Sequence, residues 1–122
     1  MINILAIDDS LTIREMVRET LSSAGFAVTT ANDGQDGVDQ FSKDRYDAVI
    51  TDINMPKMDG FGVIEHIRGG GSNARVPILV LTTESGAALK ERARAAGATG
   101  WIVKPFQDEG LISVVRRVTG AR

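Results

Sequence analysis

The chain has 122 residues, a formal net charge of −2, and 43% hydrophobic against 25% charged residues, which suits one buried core and leaves no room for a second domain. That balance excludes a disordered chain, and the acidic charge argues against a domain that holds nucleic acid by neutralising phosphates. With no cysteine and one histidine, disulfides, thiolate metal sites, cysteine nucleophiles and sites of paired histidines are excluded as well.

The chain opens MINILAIDDS. It shows no basic n-region and no small-residue cleavage site, so no signal peptide is read there. No apolar run approaches the ~20 residues of a membrane span, and a soluble, cytoplasmic protein is expected. The first strand is read over Ile2 to Ile7. A helical stretch follows, with Ile13, Met16, Val17, Thr20, Leu21 and Ala24 on one face, Ser10 as its cap and Gly25 as its stop. The second strand is Phe26 to Thr30. The second helix is weaker, with Val38 and Phe41 as its apolar pair and Asp33, Asp36 and Asp39 near its positive end.

The third strand is Ala48 to Thr51, and the third helix carries Phe61, Ile64 and Ile67, with His66 read as a surface residue. Gly69 to Asn73 reads as a flexible surface loop without a role. The fourth strand is Ile78 to Leu81. The fourth helix shows Leu89, Ala93 and Ala96 on its inner face and Gly97 as its stop; Gly86 falls either in its first turn or in the loop before it. The fifth strand is Trp101 to Val103. The fifth helix has Leu111, Val115 and Val118 on its inner face, Ile112 beside them, and Arg116 and Arg117 near its negative end. Gly110 in its first turns has no evident reason. The strand runs are almost continuously apolar, the pattern of strands buried on both faces. Five repeats of strand then helix predict an α/β fold with a parallel sheet and right-handed crossovers.

The polar residues fall at strand ends. Asp8 and Asp9 follow the first strand, Asp52 the third, Thr82 and Thr83 the fourth, and Lys104 the fifth. Ligands of open α/β sheets bind at that carboxyl edge. Taken singly, either aspartate could cap the first helix, Asp52 could begin a turn toward Pro56, Thr82 could be an ordinary strand residue, and Lys104 a solvated loop lysine. Together these readings require four coincidences at one edge. Crowded carboxylates raise one another's pKa unless a cation sits among them. An all-oxygen donor set suits Mg²⁺, and the lack of nearby His or Cys disfavours zinc and copper. A metal, a lysine, a hydroxyl and a nucleophilic carboxylate together point to phosphoryl transfer through an acyl phosphate.

The runs Asp8-Asp9-Ser10, Thr51-Asp52-Ile53-Asn54-Met55-Pro56-Lys57-Met58-Asp59-Gly60, Thr82 and Lys104-Pro105-Phe106 resemble the receiver domains of bacterial two-component response regulators, and among them the single-domain chemotaxis (CheY-like) regulators. The resemblance covers the whole chain, read as a single receiver domain over residues 1–122. It implies a doubly wound, flavodoxin-like (βα)5 three-layer sandwich with strand order 2-1-3-4-5. It implies that Asp52 accepts a phosphoryl group from a phosphohistidine on a sensor histidine kinase. Mg²⁺ would be held by the carboxylates of Asp9 and Asp52 and the backbone carbonyl of Asn54, with Asp8 acting mostly through water. Lys104 would pair with the phosphoryl oxygens, Thr82 would donate its hydroxyl to one, and Lys104-Pro105 would be cis.

Trp101 stands where the family has its switch aromatic. It is expected to face outward at rest and turn inward when Thr82 moves to the phosphate. Asn54 and Glu84 flank the path of an attacking water and are expected to tune dephosphorylation toward a short-lived signal. Moving a two-state protein from 1:99 to 99:1 takes about 5.5 kcal/mol, and Thr82 and Lys104 could supply about 3–6 kcal/mol as hydrogen bonds to a charged group. The moving part must therefore be weakly held, and the Ala-rich fourth helix is the expected soft element.

The output surface is expected on the fourth helix, fifth strand and fifth helix of a monomer, read by a flagellar motor switch protein or a phosphatase, without nucleic acid or membrane. A phosphate-sink receiver, or a stand-alone regulator of another two-component pathway, is the alternative. An aspartyl-phosphate phosphatase fits less well, because Asn54 stands where such enzymes commonly carry an acid and the chain leaves no room for a substrate cap. A pseudo-receiver serving only as a binding module is disfavoured by the complete residue set.

Overall fold

The computed structural model describes residues 1–121. In chain order the elements are β1 (Asn3–Ile7), α1 (Leu11–Ser23), β2 (Ala27–Ala31), α2 (Gly34–Lys43), β3 (Ala48–Thr51), α3 (Gly60–Arg68), β4 (Ile78–Thr82), α4 (Ala87–Ala96), β5 (Gly100–Val103) and α5 (Asp108–Thr119). Every paired strand is parallel, and the sheet order is β2-β1-β3-β4-β5, the flavodoxin-like arrangement expected.

Alternate residues of each strand point to opposite faces, and the two cores divide accordingly. Leu5, Ile7, Val49 and Val80 pack with Val38, Ile64 and Ala93 of α2, α3 and α4. Ile4, Ala6, Ile50 and Leu81 pack with Val17, Leu21, Leu111 and Val115 of α1 and α5. The three central strands are buried on both faces, as their apolar runs predict. The outer strands β2 and β5 differ: most of their residues are half-buried, and Thr29 and Val103 are exposed. An edge strand lacks a neighbour on one side, which continuous apolarity in sequence does not reveal.

Ser10 caps α1, its hydroxyl accepting from the Ile13 N–H, and Asp33 is the cap of α2 rather than a residue within it. Met16 is 42% exposed, so it lies off the buried stripe of α1 in which its spacing placed it. Gly86 is the N-cap of α4, extended and without a side-chain hydrogen bond, not part of the first turn. Gly97 ends α4 at φ +113°, a conformation that favours glycine. His66 is exposed.

Two features were not visible in sequence. An ideal Cβ at Gly34 would stand 1.9 Å from the Met58 carbonyl oxygen, and one at Gly60 would stand 2.2 Å from that of Asp52. These glycines let α2 and α3 close onto the loop after β3. At the opposite end of the sheet, Arg68 donates to the carbonyls of Gly97, Ala74 and Val76. Asn73 donates to the Tyr46 carbonyl at 2.9 Å. The glycine-rich segment is therefore braced at both ends, while Gly69 to Ser72 are exposed, as expected of a surface loop.

Candidate functional site

The chain turns from β1 to α1 and from β3 to α3 on opposite faces of the sheet, so the crevice between the carboxyl ends of β1 and β3 is its topological switch point. Asp8 and Asp9 enter it from β1, Asp52 from β3 and Lys104 from β5. Carboxylate oxygens of Asp8, Asp9 and Asp52 all lie within 4.8 Å of one another. Asp8 and Asp52 are buried, whereas Asp9 is exposed.

Each buried carboxylate is held by one backbone N–H and by the lysine. Asp8 Oδ1 accepts from the Ser10 N–H at 2.9 Å and its Oδ2 from Lys104 Nζ at 2.7 Å. Asp52 Oδ1 accepts from the Ile53 N–H at 2.7 Å and its Oδ2 from the same Nζ at 3.0 Å. The Lys104 side chain is 9% exposed. Arg14 donates to the Asp8 backbone carbonyl at 2.8 Å, fixing the loop from the α1 side. Burial pushes the Asp8 carboxyl above its ordinary 3.8, outweighing the Lys104 ammonium that favours its ionised form. Burial alone would lower Lys104, but the hydrogen bonds to Asp8 and Asp52 hold it above 10.5. The site is thus a tight carboxylate set carrying more negative charge than its single lysine neutralises.

That imbalance tests the fit of a metal. Three carboxylates with oxygens this close repel unless a cation or a proton intervenes, and the donors are all oxygen, as a hard divalent cation requires. Among the described residues the one histidine is on the surface of α3, so the donor set fits Mg²⁺ and not zinc.

The remaining expected residues line one side of the crevice. Thr82 ends β4 and is 1% exposed; its hydroxyl accepts from the Glu84 N–H at 3.4 Å. Asn54, exposed two residues after Asp52, donates from Nδ2 to Glu84 Oε1 at 3.4 Å. Trp101 departs from the expected outward pose: it is half-buried against the α2–α4 core, and its indole N–H donates to the Glu84 carbonyl at 2.9 Å. A free main-chain acceptor beside the ring supplies the partner that an indole needs when it is withdrawn from water. The Lys104-Pro105 bond is cis. The link between Glu84 and Trp101 has no signal in the sequence, since a main-chain acceptor leaves no mark in the residue code. No helix among the described residues is long and apolar enough to cross a membrane.

A carboxylate trio and a lysine at the switch point of a doubly wound sheet define a small α/β domain whose carboxyl edge can hold a hard cation. The chain belongs to the response regulator receiver domain family, which it matches over residues 4–116. It is 38% identical over 113 residues to the response regulator MprA of Mycobacterium leprae, a match covering 93% of this chain and 49% of that protein. It thus spans about half the length of such curated relatives. Its fold superposes with a TM-score of 0.92 on the chemotaxis protein CheY4 of Vibrio cholerae, 45% identical, covering 97% of this chain and 98% of that one. The receiver domain of the sensor histidine kinase PA1611 of Pseudomonas aeruginosa is 30% identical with a TM-score of 0.89, covers 98% of each chain, and has a magnesium ion coordinated in its active site cleft.

Proposed function

We propose that this chain is a phosphoacceptor switch in which Asp52 takes a phosphoryl group from a sensor histidine kinase. The observation that carries the reading is Lys104 Nζ bridging Asp8 at 2.7 Å and Asp52 at 3.0 Å beside Asp9. In the transfer, an Asp52 oxygen bonds to phosphorus while the phosphorus–nitrogen bond of the donor phosphohistidine breaks, its electron pair returning to the imidazole. Asp9, Asp52 and the Asn54 carbonyl would hold Mg²⁺ directly and Asp8 through water. When bound, the ion offsets negative charge on the transferring group. Lys104 shifts from its two carboxylates toward the phosphoryl oxygens, and Thr82 donates its hydroxyl to another. The magnesium ion coordinated in the active site cleft of the PA1611 receiver domain supports Mg²⁺ as the cation.

The chemistry is self-limited phosphorylation and dephosphorylation rather than turnover of a separate substrate. The changed surface is that of α4, β5 and α5, presented by a single cytoplasmic, monomeric domain to a flagellar motor switch protein or a phosphatase. Likeness to CheY4 at 45% identity supports the chemotaxis reading. The half-length match to MprA favours a second one, a receiver working within a longer regulator or in another pathway.

Tryptophan emission tests the switch. Trp101 is the one tryptophan in the chain, and its indole is bonded beside the site. Mg²⁺ followed by acetyl phosphate or beryllofluoride should change its emission, and Asp52→Asn should abolish the acetyl phosphate response. An unresponsive native protein that also fails to take up phosphate would sink the reading.

A further inference from the structure

We infer that Trp101 is a positioning residue for loss of the phosphoryl group, acting through Glu84. The inference rests on the phosphoacceptor reading of Asp52 and assigns to that site a residue controlling the lifetime of its product. Glu84 is tied at three points: its N–H to the Thr82 hydroxyl at 3.4 Å, its carboxylate to the Asn54 amide at 3.4 Å, and its carbonyl to the indole N–H at 2.9 Å. The indole bond is the shortest and the only one made from a ring packed against the core.

The segment around Glu84 has little else to hold it. Thr83, Ser85 and Gly86 are exposed, and Gly86 caps α4 without a side-chain hydrogen bond. The place of the Glu84 carboxylate is therefore set from its main chain, and the main chain is set by Trp101. Asn54 is two residues from Asp52, so the carboxylate–amide contact reaches across the mouth of the site. A water that enters there meets a carboxylate able to accept its proton and an amide able to hold its oxygen.

Hydrolysis of the acyl phosphate then runs as one displacement. The water oxygen bonds to phosphorus, the bond from phosphorus to the Asp52 oxygen breaks, and its electron pair restores the Asp52 carboxylate. The dianionic phosphoryl group leaves as dihydrogen phosphate carrying both water hydrogens, one relayed through Glu84. Loss of the indole N–H frees the Glu84 main chain and misplaces the carboxylate without removing any group that touches phosphorus.

The test measures phosphate release from protein loaded with acetyl phosphate and Mg²⁺, after the donor is removed. Trp101→Phe should slow release by about 3- to 10-fold, the range expected for one lost hydrogen bond that acts on the barrier. Glu84→Ala should slow it at least as much, and the double variant should be no slower than Glu84→Ala alone. Replacing Trp101 with its benzothiophene analogue, which keeps the ring shape and lacks the N–H, should reproduce the effect if Trp101→Phe melts without cooperativity. Wild-type release rates in both replacements, or effects that multiply in the double variant, overturn the inference while leaving Asp52 as the acceptor. A native protein that never takes up phosphate overturns the acceptor reading and this inference together.

Discussion

Replacing Lys104 with Met removes the ammonium that lies 2.7 Å from Asp8 and 3.0 Å from Asp52 and leaves the neighbouring carboxylates facing one another. The three side chains of these pairs are 7–11% exposed, so the pairs are effectively buried. Removing one partner of a buried pair costs about 3–5 kcal/mol. The lower end applies here, because burial already holds Asp8 above its ordinary pKa and it can take a proton in place of the lysine. At about 3 kcal/mol, and roughly 3–5 °C per kcal/mol for a domain of this length, Tm should fall by about 9–15 °C. The assay is thermal unfolding in EDTA near neutral pH, repeated with saturating Mg²⁺, which should recover much of the loss by supplying the missing charge.

The pH dependence follows from linkage. Lys104 is held above 10.5 in the folded state, so its stabilisation is whole below 10.5 and is lost as pH rises through the folded value. The folded-state pKa of Asp8 is raised, so the folded protein binds that proton more readily than the unfolded chain does. Stability from Asp8 therefore grows as pH falls through the raised value toward 3.8, and the deficit of Lys104→Met should shrink in that direction. A variant as stable as the native protein in EDTA, or a deficit that Mg²⁺ leaves untouched, would refute the picture of a lysine balancing repelling carboxylates.

Two glycines should respond oppositely to alanine. An ideal Cβ at Gly110 meets nothing nearer than Gln107 Cβ at 3.7 Å, so Gly110→Ala should stabilise by about 0.5–1 kcal/mol in urea unfolding; Gly60→Ala, with its Cβ 2.2 Å from the Asp52 carbonyl oxygen, should destabilise and also impair phosphate uptake. Arg68→Lys should cost about 2–4 kcal/mol, since one ammonium cannot serve three carbonyls that a planar guanidinium reaches together, and phosphate uptake measured well below the melting point should persist.

The parts of the site legible in sequence are those whose chemistry depends on residue type at a strand end. Asp8, Asp9, Asp52, Thr82 and Lys104 had to lie at one edge once five strand–helix repeats were read, and Asp8, Asp52 and Lys104 meet within hydrogen-bonding distance. What stayed hidden depends on the main chain. Gly34 and Gly60 matter because a carbonyl lies where a Cβ would stand. Arg68 matters because three carbonyls converge on it, and its sequence position at a helix end suggests only an ordinary dipole contact. Trp101 was found by its place, but its direction is set by the Glu84 carbonyl. Met16 and the outer strands are more exposed than their apolar pattern predicts, because apolarity reports a tendency to be buried, not whether a neighbour is there to do it.

The hidden features also distribute stiffness along α4. Its C-terminal end is fixed: Gly97 closes the helix in the left-handed region and its carbonyl receives two N–H groups of Arg68. Midway, the Arg92 guanidinium lies 3.8 Å from the centroid of the Phe61 ring, a contact worth about 0.5–1 kcal/mol at an exposed position. Only Ala93 is buried, and the N-terminal end begins at an uncapped glycine next to the segment that Glu84 anchors. On the phosphoacceptor reading, Lys104 would exchange its bonds to Asp8 and Asp52 for phosphoryl ones, so the new Thr82 bond would leave a net of about 1.5–3 kcal/mol to act with. That is too little to pull a well-packed helix from the sheet, but on this reading it would act at the end of α4 where the fewest interactions oppose it, with the Arg68 clamp holding the other end attached.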